Sequence, residues 1–284
     1  MRILYYDCFC GISGDMNLAA LIDLGVPKEY LLQELSRLNL NSEYEVIVEK
    51  AAKLGITGTR VDVILKNSSI NKEEQSEQSL HKHEHIHAHE ETHDGHIHQH
   101  NHTHEHHHRN LKDIENIINS SELKDNVKKL SLEMFMKVAE AEAKVHGKDL
   151  YEVHFHEVGA IDSIVDIVGA AICLDYLNVD KIIASPVQVG GGFVKCAHGL
   201  MPVPAPATVE ILRNIPINAG IVEFETTTPT GAAILATNVK EFTTKISFSI
   251  GKVAYGIGHR DLEIPNVLRV YLGEEGCLDN SQKM

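Results

Sequence analysis

Ile3-Leu4-Tyr5-Tyr6-Asp7-Cys8-Phe9-Cys10-Gly11-Ile12-Ser13-Gly14-Asp15-Met16 sets how this chain begins to fold. Residues 3–6 are an apolar run short enough for one buried strand. Gly11, Gly14 and Asp15 then turn the chain into a helix that ends at Gly25, with Pro27 just beyond. Working outward, Leu31, Leu32, Leu35 and Leu38 form a second amphipathic stripe. Tyr44, Val46 and Val48 alternate, as do Val61, Val63 and Leu65, which predicts two strands about a turn near Gly55 to Gly58. Residues 1–66 therefore read as an N-terminal β-loop-α-α-β-β unit.

Across residues 67–109 the apolar periodicity stops and Ser, Gln, Glu and His take over. Such a low-complexity segment lacks the apolar surface to fold alone and is expected to be a disordered metal-binding insert. Residues 110–275 resume the pattern as a second α/β unit. Leu123, Val127, Leu130, Met134, Val138, Ala141 and Val145 share one face of a long helix. A strand is expected near Tyr151 to His156 and a helix over Asp162 to Leu177. Strands follow near Lys181 to Val189, Phe193 to Ala197, Lys245 to Ala254 and Val267 to Leu272. Short helices start at Pro206 and at Pro229 or Thr230. Residues 276–284 are a polar tail. The fold class is α/β or α+β, with mixed sheets and packed helices interrupted by the His-rich insert.

The 284 residues carry a formal net charge of −14, which argues against nucleic acid and anionic membranes as partners. No apolar stretch approaches the roughly 18 residues of a spanning helix, and the N-terminus lacks the features of a signal peptide; a cytoplasmic protein is expected. Five scattered cysteines contain no C-x-x-C pair, so neither a disulfide framework nor a zinc ribbon is indicated.

Three constellations can carry chemistry. The first is a tract of fourteen histidines: His81, His83, His85, His87, His89, His93, His96, His98, His100, His102, His104, His106, His107 and His108. Neutral imidazole ligates Ni, Zn, Cu and Co, and alternate residues of an extended chain project to one side. The tract suits metal concentration rather than catalysis, because it lacks a rigid ligand shell. A purification tag and a solvated linker are the competing readings; a tag would be terminal and uniform, whereas this tract is internal and mixed, which favours metal binding, with copper and zinc competing with nickel for such nitrogens.

The second constellation is the opening turn. Its glycines let backbone N–H groups approach an anion, and Asp7 with Asp15 could hold a divalent ion beside a phosphate. An ordinary tight turn with Asp15 as N-cap explains the same residues. The third runs from His154 to Asp166. In a strand, His154 and His156 share a face while Val153 and Phe155 turn to the core. Asp162 and Asp166 fall at i, i+4 on the following helix. With Glu157 these form a ligand set or supply a base. Surface histidines and acids complementing a helix dipole are the competing reading. Further along, Thr226 to Ala233 is a hydroxyl-rich helix start, and Tyr255 to Asp261 offers Arg260 to an anion or to Asp261.

In order, DCFCGISGDM from Asp7, HFHEVGAIDSIVDIVGAA from His154, CAHGLMPVPAPATVEIL from Cys196, TTPTGAAIL from Thr227 and GIGHRDLEIPNVLRVYLG from Gly256 resemble one family. It is the nickel-pincer cofactor biosynthesis family, the nickel-inserting cyclometallases of lactate racemase maturation. The resemblance implies Ni²⁺ insertion into pyridinium-3,5-bisthiocarboxylic acid mononucleotide, with one Ni–C and two Ni–S bonds, using CTP and Mn²⁺ or Mg²⁺. It implies metal or base roles for His154, His156, Glu157, Asp162 and Asp166. Cofactor-binding roles fall to Gly11, Ser13, Gly14, Thr230 and Arg260, with the phosphate on the Gly11–Asp15 turn. The family continues into a C-terminal domain credited with CTP use, so a separate C-terminal chain or domain is an expected partner, as is self-association. Cys10 stands where the family pattern has Ser, and Gly256-Ile257-Gly258-His259 replaces a smaller, hydroxyl-bearing turn. Two other readings stay open: a nickel storage protein or metallochaperone, and a divalent-metal phosphohydrolase.

Overall fold

Strand β1 (Arg2–Asp7) is the hub on which the rest assembles. The computed structural model describes residues 1–66, 109–153, 155, 160–196 and 199–275. After β1 come helices α1 (Gly14–Leu24) and α2 (Lys28–Ser36), then the hairpin β2 (Tyr44–Lys53) and β3 (Ile56–Leu65). Helices α3 (Leu111–Ser120), α4 (Asp125–His146) and α5 (Ile161–Leu177) follow. The remainder is β4 (Lys181–Ala184), β5 (Val187–Gln188), β6 (Phe193–Cys196), β7 (Gly199–Pro202), α6 (Pro206–Ile211) and β8 (Ile217–Asn218). It closes with α7 (Pro229–Asn238), β9 (Glu241–Phe242), β10 (Ser249–Ile257) and β11 (Val267–Glu274).

Seven strands make one mixed sheet in the order β2-β3-β10-β11-β1-β4-β9. β1 runs antiparallel to β11 and parallel to β4, so the first strand of the chain and the last described one are neighbours. The pleat sends Leu4 and Tyr6 to the main core and Ile3 and Tyr5 to a smaller cluster with Ile183. Helix α1 lies across β3, β10 and β11, and α5 packs on α1, α2, α4 and α7. The sequence IVDIVGAAICL inside α5 is apolar nearly all round, which is why this helix lies buried at the centre of the helical layer. The parts of the chain on either side of residues 67–109 thus share one sheet and one core.

One expected element is corrected. Residues Leu150–Glu152 form a 3-10 turn instead of the start of a strand, and neither Val153 nor Phe155 pairs in a sheet. Both are buried as the alternation required, but their cover is the helical core, with the turn itself resting on α3 and α4. Apolar alternation reports burial of every second residue, and a helical wall satisfies it as well as a sheet does. Helix α3 and strands β7, β8 and β9 were not anticipated. No helix among the described residues is long and apolar enough to cross a membrane. The tract from His81 to His108 lies outside the described residues, as do His154, His156 and Glu157.

Candidate active site

Three helices begin around one cavity of about 370 Å³. Ser13, Gly14 and Asp15 come from the start of α1, Asp162, Ser163 and Asp166 from the start of α5, and Thr228, Pro229 and Thr230 from the start of α7. Val61, Asp62 and Val63 of β3, Glu225 and His259 complete the wall.

Local sequence explains why these ends meet. Thr228 donates its N–H to the Ile12 carbonyl at 3.1 Å, and Ile12 bridges Thr227 in parallel, which holds the start of α7 beside the loop entering α1. The Thr226 and Thr227 hydroxyls both donate to the Gln188 carbonyl, at 3.0 and 2.6 Å. Helix α5 reaches α1 because Gly14 has no side chain: a Cβ there would lie 2.2 Å from Asp166 Oδ2.

The electrostatics are dominated by carboxylates. Asp166 is half-buried, and its Oδ1 is sealed from solvent with no hydrogen-bond partner among the described residues. Burial, then the neighbouring Asp15 and Asp162 charges, hold its carboxyl well above the usual aspartate range. Asp162 accepts the Ser163 N–H at 2.8 Å. Asp15 accepts the Ser13 hydroxyl and lies 3.1 Å from His259 Nε2, which is also 3.3 Å from Asp62. The hydrogen bond to Asp15 raises the His259 pKa above its ordinary 6.5. Asp62 is in turn 3.3 Å from Arg60. An imidazole wired to two carboxylates therefore lines the same cavity as the Asp166 carboxyl.

Of the residues singled out from sequence, the cavity gathers Asp15, Ser13, Gly14, Asp162, Asp166 and Thr230. Asp7 is elsewhere: Arg269 grips its Oδ2 at 2.5 and 2.9 Å. Gly11 packs its backbone against Thr226 outside the lining. Arg260 stacks over the Phe224 ring at 4.0 Å, while Asp261 pairs with Lys53 at 2.5 Å. Cys10 is fully buried, its Sγ toward Asn266 at 4.0 Å, and burial pushes the thiol up to about 11, so it is no ready soft ligand. Asp62, Glu225, Thr228 and His259 were not picked out as site residues. His259 sat one position from Arg260 in a turn already singled out; Asp62 and Glu225 carried no local signal. Among the described residues, no group of three or more His, Cys, Asp or Glu side chains is drawn together tightly enough to hold a metal ion. The acids line an open cavity instead.

The family model for the nickel insertion protein matches residues 4–284. A relative from Clostridium acetobutylicum, a pyridinium-3,5-bisthiocarboxylic acid mononucleotide nickel insertion protein, is 80% identical over 275 residues, covering 97% of this chain and 64% of its own length. The protein of the same description from Clostridium kluyveri is 72% identical, over 97% of this chain and 63% of the relative. A putative nickel insertion protein from Wolinella succinogenes is 49% identical, over 97% and 61%. The chain thus spans under two thirds of the length of these relatives. No solved structure matches it.

Proposed function

The chain belongs to the nickel insertion protein family, and we propose that it contributes the nickel-inserting site for pyridinium-3,5-bisthiocarboxylic acid mononucleotide, within the maturation of the nickel-pincer cofactor of lactate racemase. The observation that carries this reading is the cavity where Asp15, Asp62, Asp162, Asp166, Glu225 and His259 converge.

Nickel is a substrate here. Forming a Ni–C bond replaces one ring proton by the metal, so the C–H bond breaks and a base takes the proton. Two thiocarboxylate sulfurs complete the pincer and hold the metal over the ring. The His259–Asp15–Asp62 cluster is placed to accept that proton, because each carboxylate stabilises the imidazolium as it forms. Asp162 and Asp166 offer oxygen ligands to the incoming cation, joined by His154, His156 and Glu157, which directly precede α5 in sequence. An arriving cation favours the ionised Asp166 carboxylate, since a nearby positive charge stabilises that form. The tract from His81 to His108 supplies metal to this site.

Among the described residues, no Lys or Arg lines the cavity to meet a triphosphate. CTP and its Mn²⁺ or Mg²⁺ are assigned to the remaining part of the family's length, and no step here runs through them.

The test mixes the chain with the mononucleotide, Ni²⁺, CTP and Mn²⁺ and looks for the nickel-containing product by mass spectrometry. Product is expected at least when the family's C-terminal portion is supplied as a separate chain. Tight nickel binding with no product under either condition would leave the storage reading, which the His tract supports.

A further inference from the structure

The cavity has two chemically different sides. At α1 the positive end of the helix is already answered: Asp15 sits in the first turn and takes the Ser13 hydroxyl. At α5 it is answered again, with Asp162 in the first turn accepting the Ser163 N–H. Helix α7, ten residues long, has no acid in its first turn. Pro229 has no N–H to give, and the Thr228 hydroxyl oxygen takes the Gly231 N–H at 3.3 Å. That leaves the Thr230 N–H as an open donor, as helix geometry requires of a first-turn amide. The Thr230 side chain is a second, independent sign: only 6% exposed, it lines the cavity, and its hydroxyl has no partner among the described residues. A hydroxyl that borders a polar cavity without a protein partner is a site for a ligand acceptor. Since no Lys or Arg among the described residues lines the cavity, an anion entering it has backbone N–H and hydroxyl donors to turn to, and α7 presents them clear of any first-turn carboxylate.

We propose that the phosphate monoester of the mononucleotide seats on the N-terminus of α7, held by the Thr230 hydroxyl and N–H, so that the pyridinium ring points toward Asp15, Asp162, Asp166 and His259. This placement rests on the nickel-insertion reading. It moves the phosphate from the Gly11–Asp15 turn, whose carboxylate repels a dianion, to the neighbouring helix. It also orients the substrate, separating the phosphate from the carboxylates that receive the metal.

Calorimetric titration of the metal-free chain with the mononucleotide and with its dephosphorylated nucleoside tests the assignment. Thr230→Val, which keeps the shape and removes the hydroxyl, is expected to weaken mononucleotide binding about tenfold or more and to leave nucleoside binding unaltered. Thr230→Ser restores the mononucleotide affinity, and Thr230→Ala repeats the valine result without crowding the packing. Equal weakening of both ligands, or unchanged mononucleotide binding in the valine and alanine variants, overturns the placement while leaving the function standing. Failure of the wild-type chain to bind either ligand, both alone and with the family's C-terminal portion supplied as a separate chain, overturns the nickel-insertion reading itself.

Discussion

Gly14 shows how much one residue can decide. Its missing side chain is what lets Asp166 of α5 lie against the first turn of α1, because an added Cβ would come within 2.6 Å of the Asp166 Cβ. Gly14→Ala is therefore expected to destabilise the chain by about 1–3 kcal/mol through overpacking, and to abolish nickel insertion by prising Asp166 from the cavity. Thermal unfolding and the product assay check this together, and a variant that melts and inserts as the wild type does would refute the contact. Asp23 is the counterpart in the scaffold. Its carboxylate takes Lys50 at 2.5 Å, Thr59 at 2.9 Å and the Tyr255 N–H at 3.0 Å, joining α1 to β2, β3 and β10. Burial works to raise its pKa, but the bonds from Lys50, Tyr255 and Thr59 outweigh it and leave the pKa lowered. A lowered carboxylate contributes stability above its unfolded pKa and loses that contribution as pH falls through the folded one. Asp23→Asn should thus cost about 1.5–3 kcal/mol at neutral pH. The gap from wild type should close as pH is taken well below about 3.9, which denaturant titrations at a series of pH values would record.

At the scale of elements, the helices were legible because their signals are local. Gly25 after α1, Pro206 opening α6 and the Thr228-Pro229 start of α7 all stand where the structure begins or ends a helix. Helix α3 was overlooked although it carries a complete signal: the Asn110 side chain accepts the Asp113 N–H at 3.0 Å and Asp113 returns the bond at 3.0 Å. Its position directly after the His tract hid it. Asn110→Ala removes this reciprocal cap and is expected to cost about 0.5–2 kcal/mol, seen as a melting midpoint lower by about 2–4 °C per kcal/mol. An unchanged midpoint would mean that Leu111, Ile114 and Ile118, buried against the core, hold α3 without its cap. The expected strand at Tyr151 failed for the opposite reason: its alternating pattern was genuine, but the surface it met was helical.

At the scale of the whole molecule, the His tract and the cavity are expected to make separate contributions. Deleting residues 81–108 removes fourteen imidazoles and none of the described residues that line the cavity. Equilibrium dialysis should show fewer nickel ions bound per chain, while the melting temperature stays put and product still forms at saturating nickel. Insertion lost even at saturating nickel would place the tract inside the chemistry. Nickel bound to the tract should be released as pH falls through roughly 6.5, because imidazolium cannot ligate.

Taken by itself, the amino-acid order determined the starts and stops of most helices, the pairing of β2 with β3, the His-rich tract and the family. These depend on caps, periods of 2 or 3.6 residues and short ordered motifs, all readable within a window of a few residues. Asp162 and Asp166 were legible as a pair because one helical turn joins them. Only the tertiary structure brought Asp15, Asp62, Asp166, Glu225 and His259 around one space, and only it gave Asp7 to Arg269, 262 positions away. Contacts of that separation are made by the sheet order, which sets β1 between β11 and β4, and no local pattern of charges encodes which distant strand will arrive alongside.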